Sequence, residues 1–384
     1  MYSEFGTLPP PAPTATLMAD LQAAIAEDLR PNLREIDEGG KYPRAFLERV
    51  GAIGGFRQGT PTALGGAGNG LRYTIQIMEE ISRDCLSTGF CYWCHTVCAW
   101  YAQTGGSDFL KQEILPRLTS GQMLGATGMS NPMKHFAGIE KIRLTATRCD
   151  GGYQINGALP WVSNAVSDGC FGAVARIAGT DGDYLMAIIP ARSSGLELGD
   201  GGHFIALEGS STHNAIFRDV FLPDEWVLAA PCAEYIARIR PGFMLTQSGF
   251  GLGLVRGCID LMKRSNDRVG HVNCYLEDGA ERIETDLKQT QETIYALADE
   301  IGCGDQAAAR SPRDLTRDVV RARLSTSELA LRASQAAMLH CGAGGYRAGS
   351  IAERKLRESY FVAVVTPAMK HLKKVLHDLE TPLS

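Results

Sequence analysis

The chain has 384 residues, a formal net charge of -5, 45% apolar residues and 21% charged residues. That length suits two or three domains around a large core, and the composition is ordinary for a soluble globular protein. A mildly acidic chain without a basic stripe argues against nucleic acid as a partner, and no apolar run reaches the ~20 residues that span a bilayer.

Met1-Tyr2-Ser3-Glu4-Phe5 has no basic region and no apolar run, so a signal peptide is not expected and the expected location is the cytoplasm. Leu8 to Pro13, with four prolines, is expected to be a stiff, exposed lead-in. From Thr14 to about Leu118 the pattern is helical. Leu17, Leu21, Ile25 and Leu29 form an apolar stripe at spacing four. Pro43 is placed to open a short helix, Arg44 to Val50. Gly51 to Gly70 reads as loop, Leu71 to Arg83 as a helix, and Ser87 to Gln103 as a buried apolar helix. The chain has eleven Cys and no export signal, which suggests free thiols in a reducing compartment. Cys91, Cys94, Cys98 and His95 share an apolar run without a second Cys pair, so buried thiols are expected there and no metal.

Met123 to about Leu228 reads as a β domain. Gly128-Met129-Ser130-Asn131-Pro132 opens it, and Pro160-Trp161-Val162-Ser163-Asn164 follows about thirty residues later. Between them a strand-like segment turns at Asp150-Gly151-Gly152 and resumes as Tyr153-Gln154-Ile155-Asn156-Gly157. Cys170 to Ile177, Tyr184 to Ile189 and Ala215 to Leu222 read as further strands. Short β runs broken by Gly and Asn predict an antiparallel sheet. Hydroxyls beside an exposed-looking Trp suggest a flat aromatic ligand; a core Trp with ordinary strand Ser residues is the alternative.

From Pro241 onward the pattern is helical again. Phe243 to Lys263, Ile283 to Ile301 and Leu315 to His340 are long enough for an antiparallel bundle, with Ile351 to Val365 and Pro367 to Leu379 completing it. Gly302 to Pro312 reads as a polar connector. Gly342-Ala343-Gly344-Gly345-Tyr346 reads as a helix-stopping loop whose backbone amides could also approach a phosphate closely. The expected class is α+β, with helical residues 1–120, a β domain at 121–230 and a helical bundle at 231–384.

The order and spacing of these segments resembles the acyl-CoA dehydrogenase family of flavoproteins. The first loop there usually reads Thr-Glu-Pro and the second Trp-Ile-Thr; here they read Ser130-Asn131-Pro132 and Trp161-Val162-Ser163. Leu64-Gly65-Gly66-Ala67-Gly68 is similar to the family's Gly-Gly-x-Gly loop, and Phe217 to Pro223 to the strand that closes its middle domain. The resemblance covers roughly Leu17 to Leu379. It implies FAD, with Met129 and Ser130 from one loop and Ser163 from the other near the reactive end of the flavin and Trp161 against its ring. The family's Gly-Ser-Asp is replaced by Lys134-His135-Phe136-Ala137-Gly138. Gly342, Ala343, Gly344 and Gly345 resemble a Gly-Gly-x-Gly run that reaches the FAD of a neighbouring subunit. That implies a homo-oligomer, dimer or tetramer.

The resemblance also implies a carboxylate base that takes a proton α to a thioester carbonyl while the β hydride goes to the flavin. Gap-free spacing from Glu353-Arg354 puts that position at Thr366. A second family position falls near Phe243, with Gln247 the nearest polar group. No carboxylate stands at either place. Thr366 followed by Pro367 has a plain alternative role as a helix N-cap. His95 is the expected replacement base, with a satisfied core histidine as its alternative; His135 and His371 are weaker candidates. The expected activity is FAD-dependent oxidation of an acyl thioester, bound to coenzyme A or a carrier protein, with the electron acceptor, oxygen or an electron-transfer protein, left open. The alternative is a flavin-dependent monooxygenase or oxidase.

Overall fold

The computed structural model describes residues 14–302 and 310–381. The expected lead-in at Leu8 to Pro13 and most of the Gly302 to Pro312 connector lie outside the described residues.

Six helices precede the sheet: α1 (Thr14–Ala24), α2 (Leu33–Asp37), α3 (Arg44–Ala52), α4 (Gly70–Asp84), α5 (Leu86–Thr104) and α6 (Leu115–Thr119). The apolar stripe of the first helix is buried as its period requires, with Leu17, Leu21, Ile25 and Leu29 each at most 2% exposed. Helix α5 is apolar on nearly every side and is correspondingly buried from Leu86 to Ala102, apart from Thr96 and Trp100.

The middle of the chain is β1 (Gly125–Thr127), the short helix α7 (Ser130–His135), then β2 (Leu144–Cys149), β3 (Gly152–Val162), β4 (Cys170–Ile177), β5 (Tyr184–Pro190), β6 (Leu196–Gly199), β7 (His213–Pro223) and β8 (Val227–Ala229). The hairpin turn at Asp150 and Gly151 and the strands at 170, 184 and 213 stand where the turn residues put them. The sheet runs β6-β7-β3-β2-β4-β5-β8, with β1 added beside β4. It is mixed rather than antiparallel: β1 and β2 both pair β4 in parallel. The long segments between these strands supply the crossovers that parallel pairing needs, and side-chain alternation alone does not record direction.

Six helices follow: α8 (Ala233–Thr246), α9 (Ser248–Asn273), α10 (Ala280–Gly302), α11 (Pro312–Gly345), α12 (Ile351–Val364) and α13 (Met369–Glu380). The helical region therefore begins before Pro241, which lies inside α8. Thr366 is not an N-cap: α13 starts three residues later, with Ala368 in the cap position. Two apolar cores result, one shared by the helices and one within the sheet around Leu144, Ile155, Phe171 and Val220. Among the described residues no helix is long and apolar enough to cross a membrane.

Candidate active site

The loop after β1 turns directly into α7, so Ser130 stands at the first position of that helix. Its hydroxyl lies 3.0 Å from the Thr366 hydroxyl, across 236 residues of sequence. The Thr366 carbonyl accepts a hydrogen bond of 2.9 Å from Nε2 of Gln247, which occupies the break between α8 and α9 and is fully buried. Gln247 Oε1 in turn accepts from Nε of Arg323 on α11 at 3.2 Å. The rest of the Arg323 guanidinium donates to the Ser327 hydroxyl and to the Val362 carbonyl. Among the described residues, no carboxylate bonds any member of this chain of groups.

Arg323 is 0% exposed and sits 5.7 Å over the Phe250 ring. Burial pulls its guanidinium down to about 9. Phe90, Trp93, Phe243, Phe250 and Phe361 form an aromatic wall around it, with ring separations from 4.6 to 6.3 Å. Phe243, near which the resemblance puts a second base position, gives its ring to this wall. Sequence reasoning missed Arg323. The signal was present: Val319, Arg323 and Ser327 lie at spacing four on the same buried face as Val320, Leu324 and Ala330.

Trp161 lies at the end of β3, where the pairing register with β7 slips between Leu159 and Val162. Such an irregularity re-aims side chains. The indole is 42% exposed and tilts against Phe204 at 5.7 Å. Ser163 forms an isolated bridge with Thr127, two residues before Met129, and its hydroxyl accepts from Thr212 at 3.0 Å. The two loops named in the sequence therefore meet, and Met129 is buried beneath them.

His95 is not a replacement base. Its Nδ1 accepts from the Gly125 amide at 3.0 Å and its Nε2 bonds the Leu118 carbonyl at 2.9 Å, which fixes the neutral tautomer. The ring packs 3.7 Å from that of Phe56, with no exposed atom surface to offer a substrate. Burial pulls its pKa down to about 3. An unfolded chain takes up this proton near 6.5, so the stability contributed by the neutral ring is complete above pH 6.5 and is lost as pH falls toward 3. The stability advantage of wild type over His95→Gln is expected to shrink by about 2 kcal/mol between pH 7.5 and pH 5. Urea unfolding of both proteins at the two pH values checks this; a constant difference would contradict it.

Gly342 to Gly345 lie elsewhere. They form the end of α11, where Gly342 breaks the helix at φ +56°, and Gly342, Ala343 and Gly344 are exposed. Nineteen residues separate Gly342 from Arg323, about 28 Å along one helix at 1.5 Å per residue.

The acyl-CoA dehydrogenase N-terminal domain family matches residues 14–122. A mitochondrial isovaleryl-CoA dehydrogenase of Solanum tuberosum is 25% identical over 342 residues, covering 83% of this chain and 79% of the relative. Residues 14–122 belong to that N-terminal domain family, and the chain is similar to acyl-CoA dehydrogenases over most of its length. Butyryl-CoA dehydrogenase from Megasphaera elsdenii has the same fold, with a TM-score of 0.78 at 20% identity over 96% of this chain and 98% of that one. So does dibenzothiophene monooxygenase from Paenibacillus sp. A11-2, with a TM-score of 0.78 at 16% identity over 94% and 96%. The Ser130 loop meets both the Thr366 turn and, through Thr127, the Ser163 loop, and residue 366 carries a hydroxyl.

Proposed function

We propose that the protein is an FAD-dependent oxidoreductase acting on an acyl thioester, carried by coenzyme A or a carrier protein, without a carboxylate base at Thr366. The contact between Ser130 and Thr366, backed by Gln247 and Arg323, carries this reading. The residues fit a flavin. Trp161 presents a large exposed aromatic surface, and Ser130 and Ser163 offer partly buried hydroxyls near it. FAD, when bound, supplies the hydride acceptor. Ser130 and Ser163 orient what lies between the two loops. Thr366 holds Ser130 but cannot take a proton at neutral pH without an activating partner. Gln247 and Arg323 bring a positive pole to the wall behind Thr366, where the family has a negative one. A negative charge near Thr366 is therefore favoured rather than repelled.

The aromatic wall leaves little room behind it. A cavity of about 20 Å³ beside Phe243 and Thr246 holds about one water, and Ser130, Gln247, Arg323 and Thr366 do not line it. A homo-oligomer built through the C-terminal helices is supported by exposed apolar residues beside the glycine run. Asn273 reaches the His340 carbonyl, which brings Val272 and Tyr275 next to Leu339. A second reading, a flavin-dependent monooxygenase or oxidase, is favoured by the same lack of a base. In either reading His95 has no part.

The test is anaerobic mixing of the FAD-reconstituted protein with a panel of acyl thioesters. A yellow protein is expected, bleached by one class of thioester. Straight-chain butyryl-CoA should bleach it roughly 10²- to 10⁴-fold more slowly than it bleaches an acyl-CoA dehydrogenase that carries a carboxylate base, the factor such a base supplies. Failure to bind FAD overturns the cofactor reading, and rapid bleaching by butyryl-CoA overturns the argument about the base. No bleaching by any thioester, with oxygen uptake once the flavin is reduced chemically, favours the second reading.

A further inference from the structure

Arg357 lies on α12, nine residues before Thr366. Its guanidinium has five N–H donors, and the structure engages each of them. Nε and Nη2 donate to the Glu353 carboxylate on the same helix, and Nη1 and Nη2 donate to the two carboxylate oxygens of Asp37, the last residue of α2. The remaining bond leaves this ionic group: Nη1 donates to the Ile205 carbonyl at 2.8 Å. Ile205 belongs to the stretch between β6 and β7. Its side chain is 70% exposed, so packing does not hold it in place. Ala206 and Leu207 after it are buried, while Gly202 and His203 before it are exposed. Between them, Phe204 donates its amide to the Glu208 carboxylate, and its ring stands 5.7 Å from that of Trp161, tilted by 58°.

A carbonyl fixed one residue after Phe204 limits where the backbone can put that ring. Two rings held at an angle make a corner, and a flat ring system enters an ordered corner at a lower entropic cost than a loose one. We infer that Arg357 is a positioning residue for the candidate site: through the Ile205 carbonyl it holds Phe204 beside Trp161 as the second wall of that corner. Lysine cannot take its place, because an ammonium has three donors and no planar fork to span Asp37, Glu353 and Ile205 together. The same helix gives Phe361 to the aromatic wall and ends two residues before Thr366, so the corner and the Thr366 turn depend on one element. The identity of the flat ligand as a flavin rests on the function proposed above; the placement of Phe204 does not.

The experiment observes the four indole N–H resonances of protein carrying isotopically labelled tryptophan. The Trp161 signal is identified by its loss in Trp161→Phe. Phe204→Ala, which keeps every bond of Arg357, gives the shift that loss of the neighbouring ring produces. Arg357→Lys is expected to move the Trp161 signal toward that position and to weaken FAD binding about 10-fold. In the Phe204→Ala background the same change should cost FAD binding less than about 2-fold, because Arg357 then has no ring to hold. An ion pair that only supports the fold would cost the same in both backgrounds. Asp37→Asn, which loosens the guanidinium without removing it, keeps the question open to test should Arg357→Lys not fold, and is expected to move the same signal in the same direction. A Trp161 signal unmoved in Phe204→Ala or in the folded variants of the ionic group overturns the proposal, as does full additivity with Phe204→Ala. If wild type binds no FAD, the indole signals still decide where Phe204 stands, and only the flavin reading falls.

Discussion

Thr366→Glu is expected to raise the rate of anaerobic flavin reduction by butyryl-CoA by about 10² or more, part of the 10²- to 10⁴-fold range of a general base. The hydroxyl of Thr366 already meets Ser130 at 3.0 Å, so a longer side chain from the same Cα extends past Ser130 into the space between the two loops. The Gln247 amide bonds the backbone of residue 366 rather than its side chain, and the turn is therefore kept in the variant. The positive pole at Arg323 lowers a carboxylate pKa and keeps the new base ionised near neutrality. Thr366→Gln is the control, with the same length and no basic oxygen. Stopped-flow reduction of wild type and both variants decides the matter. Equal rates for Glu and Gln, or no gain over wild type, would show that residue 366 does not face the reacting carbons.

The second large effect is on stability. Arg323→Ala is expected to lower the free energy of unfolding by about 3–5 kcal/mol. It opens a cavity inside the aromatic wall and removes the donors that serve Gln247, Ser327 and Val362. Arg323→Met fills most of that space and also removes a buried cation that has no carboxylate partner. It is expected to recover most of the loss, because an uncompensated buried charge weakens a fold. Urea unfolding curves for the three proteins measure both differences. If Met is as damaging as Ala, the loss comes from the hydrogen bonds rather than from packing, and the guanidinium is a structural strut. If Met is stable but the flavin is reduced more slowly, the charge serves the pocket.

These residues also show where sequence reading stopped. The strand at Cys170–Ile177 and the helix at Gly70–Asp84 followed from period and punctuation, because burial on one side fixes which residues repeat. Ser130, Trp161 and Ser163 were singled out by the resemblance of two loop motifs, and the structure brings those two loops together. Thr366 was singled out by spacing, as a base position or as a cap; the cap reading fails, since a Thr before a Pro looks the same whether the helix starts at once or three residues later. His95 could not be judged, because its two partners are a backbone carbonyl and a backbone amide, groups that every residue has. Arg323 was not singled out in the sequence, although its neighbours at spacing four are apolar or small. Only the packing of α11 against α9 and α12 shows that its face is turned inward. The parallel strand pairs were beyond reach for the same reason: direction belongs to the partner, not to the strand.

The slip at the end of β3 has an optical consequence. The chain contains four tryptophans. Trp93 is 2% exposed and sealed among phenylalanines, Trp100 and Trp226 are half-buried, and Trp161 stands 42% open. Indole emission moves to longer wavelength as water reaches the ring, so this protein's fluorescence divides into a blue part from the interior and a red part owned by Trp161. A flat molecule that settles over Trp161 is expected to dim the red part more than the blue, which makes the ratio of the two a reporter of the candidate site.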